Sequence, residues 1–172
     1  VAVIDEGAQF DFYSGHGLDM TFLGLAQADS HGNVNVSRFG TTIAGSGGFI
    51  DISQSAGKVV FCGTFTAGGL KVEIRDGAVK ILQEGRNRKF IREVEHLTYS
   101  TKYAEEAGQK VIYVTERAVF EYRDGRLVLT EIAPGIDLER DILGQMDFVP
   151  EVSPDLREMD SRLFYEERME CK

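Results

Sequence analysis

The sequence predicts an α/β fold: part of an open, largely parallel sheet with helices on its faces and β-hairpins appended. Three observations predict it. Val59-Val60-Phe61-Cys62-Gly63-Thr64 is a continuous apolar run of the kind that forms a buried strand. Just before it, Gly45-Ser46-Gly47-Gly48 and the apolar positions Phe49, Ile50, Ile52 and Ala56 read as a glycine-rich turn opening a short helix. Farther on, Asp76-Gly77 and Asp124-Gly125 each interrupt an alternating segment, which is the signal of a two-residue hairpin.

From the amino end, Phe10, Phe12 and Tyr13 read as packing residues, and Gly15-His16-Gly17 punctuates the segment, leaving His16 a solvated loop histidine. Asp19 to Ala28 reads as a strand covered on both faces, followed by a turn at His31-Gly32-Asn33 and a return strand from Val34 to Ser37. Asn33 and Asn35 suit the turn, because asparagine tolerates left-handed backbone. In the run after the glycine turn, Cys62 is expected to be an inert core thiol. Thr66 to Lys71 is a polar, glycine-bearing loop at the carboxyl end of that strand, where ligands of open α/β sheets collect. Lys71 is therefore a candidate for a ligand phosphate or carboxylate, against the plainer reading of a surface lysine.

The only basic cluster is Arg86, Arg88, Lys89 and Arg92. It reads either as an edge strand with its cations in water or as a contact for a diphosphate. Tyr103 to Ala107 is a short helix stopped by Gly108, and Val111 to Thr115 is a strand. Arg117–Tyr122 and Leu127–Ile132 pair around Asp124-Gly125, and Pro134-Gly135 ends the pair. Asp137 to Leu143 is a helix with an acidic start, which suits the helix dipole. Phe148 to Pro154 is an extended exit, and Leu156 to Lys172 is a charged tail, either an amphipathic arm or partly disordered.

At 172 residues and 42% hydrophobic content, the chain is the size of one domain with a real core. A net charge of −9 argues against a nucleic-acid ligand, whose phosphates call for a basic footprint. No apolar run approaches the ~20 residues that span a bilayer, and no stretch resembles a signal peptide. The two cysteines, Cys62 and Cys171, make no disulfide framework. A cytoplasmic location is expected, and no metal site is. A chain opening on Val1 is expected to be a fragment or a processed product.

Several motifs occur in a telling order. They are Gln9-Phe10-Asp11-Phe12-Tyr13, Phe22-Leu23-Gly24-Leu25-Ala26-Gln27-Ala28-Asp29, Gly32-Asn33-Val34-Asn35-Val36-Ser37, the glycine turn, Gly63-Thr64-Phe65-Thr66-Ala67-Gly68-Gly69-Leu70-Lys71, Val114-Thr115-Glu116-Arg117-Ala118-Val119-Phe120 and Glu131-Ile132-Ala133-Pro134-Gly135-Ile136-Asp137. In this order, out to about Asp160, the chain resembles the carboxy-terminal part of a family I coenzyme A transferase, of the single-chain acetate or short-chain acyl-CoA:3-ketoacid type.

The resemblance implies a three-layer α/β/α fold shared with ribose-5-phosphate isomerase-like enzymes. It also implies ping-pong movement of CoA between a short-chain acyl-CoA or 3-ketoacyl-CoA and a free carboxylate such as acetate, with CoA a substrate and no cofactor. Residues 1–172 would then be the carboxy-terminal portion of the second, glutamate-bearing domain. The family's glutamate sits in a Glu-x-Gly-x-x-Gly type motif that this sequence lacks; Glu6-Gly7 has the wrong spacing, so the nucleophile is expected upstream and no catalytic residue in this chain. Gly45, Gly47 and Gly48 match the family's glycine loop over the thioester, and Asn35 and Lys71 are candidate substrate contacts. Glu116 is expected to be an ion-paired structural carboxylate. The expected partners are the missing amino-terminal half or a partner chain, and further copies in a homo-oligomer. The rival reading is a non-catalytic ligand-sensing module of the isomerase-like fold.

Overall fold

The computed structural model describes residues 3–167 and 169. Six strands stand side by side in chain order: β1 (Met20–Gly24), β2 (Lys58–Cys62), β3 (Lys110–Val114), β4 (Ala118–Arg123), β5 (Arg126–Ile132) and β6 (Glu151–Glu158). The first three are parallel, β4 is antiparallel to both of its neighbours, and β6 returns parallel to β5. The fold is α/β as expected, but the sheet is mixed. The hairpin at Asp124-Gly125, expected as an appendage, is part of the sheet itself, because its apolar alternation continues one face of the core. Leu23, Phe61, Tyr113, Phe120 and Leu129 are register partners in a single row across five strands. Both residues of each aspartate–glycine turn have positive φ, at 54° and 78° for Asp76-Gly77 and 49° and 83° for Asp124-Gly125.

Three helices accompany the sheet: α1 (Glu6–Ser14), α2 (Phe49–Ser55) and α3 (Thr101–Glu106). The Asp5 carboxylate caps α1 by accepting from the Ala8 amide at 2.9 Å. This helix was not read from the sequence, since it buries no residue and so has no apolar stripe to betray it. Phe12 is exposed rather than packed, while the Phe10 ring lies against Gly48. In α2, the Phe49 ring stacks on Phe61 at 5.8 Å, which ties the helix to the core. Gly108, at φ +66°, ends the α3 turn as expected.

Other expectations need correction. β1 is not covered on both faces: Phe22 is 66% exposed, on the side away from the Phe61 row. Strand alternation puts Cys62 on that same open side, so it is an exposed thiol rather than a core one. The helix expected from Asp137 is a single π-helical turn, Leu138–Ile142, followed by a short 3-10 turn, Leu143–Gln145. Its regular continuation is lost where the Asp141 carbonyl accepts from Arg117 instead.

The exit segment and start of the tail form β6, whose register with β5 slips around Ser153 to Leu156, where Pro154 has no amide to give the ladder. Phe164 ends a 3-10 turn and is buried. Cys171 lies outside the described residues. No helix among the described residues is long and apolar enough to cross a membrane.

Candidate functional site

The α2 helix packs over β1, with Phe49 at its amino end against Phe61 near the carboxyl end of β2 and Gly57 after its carboxyl end bonded to the Leu18 carbonyl before β1. This brings its amino end to the same side of the sheet as the carboxyl ends of β1, β2 and β3. The glycine turn forms that amino end. Gly45 and Gly47 hold φ of +81° and +51°, and a Cβ on either would meet nothing within 4 Å. Glycine is needed at these two positions for conformation, with open space alongside. At Gly48 the reason differs: φ is −81°, but a Cβ would stand 2.6 Å from the Phe10 ring. The amides of Ala44 and Gly45 both donate to the Ser37 carbonyl, at 2.9 and 3.1 Å. Those of Ser46, Gly47 and Gly48 have no acceptor among the described residues.

Beside the turn lies an open cleft of about 320 Å³, bounded among others by Ser37, Ile43, Gly45, Ile50, His96 and Leu97. Its apolar wall faces water, with Ile43 80% exposed. On its polar side, the Ser37 hydroxyl is 2.9 Å from His96 Nδ1 and 2.7 Å from Thr98 Oγ1. Sequence reasoning missed His96, Leu97 and Thr98. They come from the irregular stretch between the basic cluster and α3, which carries no periodic signal.

Asn35 is wholly buried, and its side chain is fully engaged. Nδ2 donates to Gln27 Oε1 and to the Arg38 carbonyl, both at 2.6 Å, while Oδ1 accepts from the Ser37 and Arg38 amides. It braces the turn that carries Ser37 into the cleft. Lys71 begins the Lys71–Arg75 strand of the first hairpin, with its side chain exposed. Glu6 opens α1 on the surface.

Behind the strand ends lies a buried charge cluster. Arg117 is shut off from solvent, and its guanidinium bonds Glu84 and Glu116 and sits 5.1 Å over the Phe65 ring. Glu116 is the ion-paired structural carboxylate expected: Oε1 takes the Arg117 Nε bond at 2.6 Å and Oε2 the Phe65 amide at 2.8 Å. Burial works against the Arg117 charge, but its two carboxylates overcome this and raise its pKa. For Glu84, burial favours the neutral acid, and the bonds from Arg117, Thr66 and the Gly85 amide more than reverse it.

No protein-family model matches the chain. Against individual proteins, it is 55% identical over 168 residues to the acetate CoA-transferase YdiF of Escherichia coli K12, covering 98% of this chain and 32% of that protein. The chain belongs to the CoA-transferase family. A caffeate CoA-transferase from Acetobacterium woodii is likewise 55% identical over 170 residues, covering 96% of this chain and 32% of that one. Crystal structures of the E. coli O157:H7 acyl-CoA transferase YdiF, as apoenzyme and as a thioester complex with CoA, superpose with a TM-score of 0.94 at 55% identity, over 96% of this chain and 32% of theirs. The chain therefore spans about a third of the length of these CoA-transferases.

Proposed function

We propose that the whole protein transfers CoA between a short-chain acyl-CoA or 3-ketoacyl-CoA and a free carboxylate such as acetate. This chain contributes the glycine turn and not the nucleophile, as the carboxy-terminal part of the glutamate-bearing domain. In the proposed route, a glutamate carboxylate from outside these residues attacks the thioester carbonyl. The C–S bond breaks, CoA leaves as thiolate, and an acyl-glutamyl anhydride remains. The thiolate then attacks the glutamyl carbonyl, which releases the first acyl group as a carboxylate and leaves a glutamyl-CoA thioester. The acceptor carboxylate runs the two steps in reverse. Each addition places negative charge on a carbonyl oxygen, which oriented amides in a dry cleft stabilise.

The observation that carries this reading is the run of three unengaged amides, Ser46 to Gly48, beside an apolar-walled cleft. Gly47 and Gly48 supply the oxyanion donors. Gly45 shapes the turn, since its own amide is bonded to Ser37. Within the same reading, Asn35 acts on substrate through the turn it braces, and Lys71 offers a cation to a ligand phosphate or carboxylate. The nucleophile comes from the rest of the protein or a partner chain, in a homo-oligomer located in the cytoplasm. Incubation of the whole protein with acetoacetyl-CoA and acetate is expected to yield acetyl-CoA, whereas residues 1–172 alone yield none. Failure of the whole protein to form acetyl-CoA, with propionate and butyrate equally inert, overturns the reading.

A further inference from the structure

The four basic residues from Arg86 to Arg92 do not share one environment. Arg88 behaves as a surface cation, paired with Asp147 at 2.7 Å and bonded to the Gly144 and Met146 carbonyls. Lys89 is only 7% exposed. Its neighbour Phe90 enters the core against Phe65 and Phe120, so the Lys89 side chain leaves on the opposite side of the chain. There its ammonium reaches Gly63, the residue just after β2. A Cβ on Gly63 would stand 2.8 Å from Lys89 Nζ and 3.0 Å from the Leu25 carbonyl oxygen. Gly63 is not among the glycines with positive φ. A side chain at 63 would displace the ammonium and crowd the Leu25 carbonyl, so the room that glycine leaves is where the ammonium sits.

Leu25 follows β1, Gly63 follows β2 and Glu116 lies two residues beyond β3. The ammonium thus stands where three parallel strands end, the side of a sheet on which ligands gather. Among the described residues it makes no hydrogen bond and no ion pair. Glu116 is near enough to act on it through its field, but both oxygens of that carboxylate are engaged by Arg117 and Phe65. Every fully buried side-chain nitrogen and oxygen among the described residues is hydrogen-bonded. The Lys89 nitrogen, which is not, keeps a narrow opening to solvent. Burial pushes its pKa down, and Glu116 opposes that in part. A cation so largely stripped of water, with no anion touching it, is costly to hold.

We propose that Lys89 binds a carboxylate at these strand ends, either the free acceptor substrate or a carboxylate borne by protein outside these residues. The proposal rests on the CoA-transfer reading for its ligand class. A single ammonium behind a narrow opening suits one carboxylate. A diphosphate would call on neighbouring cations, but Arg88 and Arg117 are already paired with Asp147 and Glu84, and Arg86 and Arg92 are exposed to solvent while Lys89 is folded inward.

Two measurements on the whole protein test this. In the first, lysines of the wild type are labelled by formaldehyde and cyanoborohydride with and without saturating acetate, with inorganic phosphate as control, and the extent at Lys89 is read by mass spectrometry. The second is steady-state kinetics of Lys89→Met, which keeps the stem and drops the charge. For a free carboxylate, acetate slows labelling of Lys89 and phosphate does not, while Lys89→Met raises KM for acetate by roughly ten- to a hundred-fold and leaves KM for acyl-CoA unchanged. If the carboxylate is protein-borne, Lys89 resists labelling with or without acetate and Lys89→Met loses kcat rather than KM.

Labelling that is rapid and indifferent to acetate overturns the proposal. So do kinetic constants of a folded Lys89→Met that stay within about twofold of wild type, a margin below the loss of a charged hydrogen bond. Wild type that transfers no CoA, yet has Lys89 protected by acetate, would sink the transfer reading and leave the site standing.

Discussion

The Arg117 guanidinium, fully buried, grips the Glu84 carboxylate with two bonds, from Nη1 to Oε2 at 2.7 Å and from Nη2 to Oε1 at 3.1 Å. Glu84 follows the first hairpin, while Arg117 lies between β3 and β4, so this pair fastens the hairpin to the main sheet. Removing one member of a buried pair leaves the other charge uncompensated and costs about 3–5 kcal/mol. Because the Glu84 side chain is 26% exposed and Glu116 still faces Arg117, Glu84→Gln is expected below that range, at about 2 kcal/mol. Urea unfolding checks this; a loss below about 1 kcal/mol, the worth of a surface pair, would mean the clamp adds little.

The same carboxylate makes stability depend on pH. The folded Glu84 has its pKa below the ordinary glutamate value of 4.5, because burial, which favours the neutral acid, is outweighed by the bonds from Arg117 and Thr66. Below pH 4.5 the unfolded chain therefore binds a proton at this site before the native one does. The contribution is complete above the unfolded value and is lost as pH falls through the lower folded value. Unfolding free energies measured from about pH 6 to about pH 3 should decline less steeply in Glu84→Gln than in wild type.

Gly47→Val and Gly48→Val should part company. Valine at 47 meets open space and must hold φ +51°, at about 1–2 kcal/mol. Valine at 48 collides with the Phe10 ring. Gly48→Val should therefore lose stability first and regain part of it when Phe10→Ala is added. In the whole protein, a valine at 47 keeps the amide but obstructs the approach to it or tilts the peptide, so turnover per folded molecule should fall roughly a hundred- to a thousand-fold, the size of losing one oxyanion donor. Near-normal turnover in folded Gly47→Val would leave the turn as architecture alone.

The open side of β1 supplies a fourth expectation. Phe22 and Met20 are large apolar side chains exposed on the sheet, and such patches drive association. Residues 1–172 on their own should self-associate, and Phe22→Ser should shift the population toward monomer in sedimentation velocity. Identical sedimentation of the two at high concentration would rule this face out as the cause.

Legibility in the sequence followed the physics of each segment. Val59 to Phe61 and the two aspartate–glycine turns could be placed because burial and φ > 0 restrict residue choice directly. The glycine turn could be placed for the same reason, although the need for room at Gly48 depends on Phe10, distant in sequence. Lys89 is indistinguishable in sequence from its arginine neighbours, because a charge run carries no mark of which member is folded inward. β6 looks like an exit segment in sequence, since Pro154 and the charges around it are poor strand signals. His96 and Thr98 reach the cleft through loop geometry that no period encodes.

That irregular sixth strand has a consequence for how the sheet can be extended. The slip at Ser153–Leu156, the proline and the charges of Glu151, Asp155, Arg157 and Glu158 blunt one border of the six strands against backbone pairing. The opposite border, Met20-Thr21-Phe22-Leu23-Gly24, has neither proline nor charge. Growth of the sheet is thereby directional: a seventh strand, from elsewhere in the protein or from a partner, finds a compatible ladder beside β1 and an obstructed one beside β6.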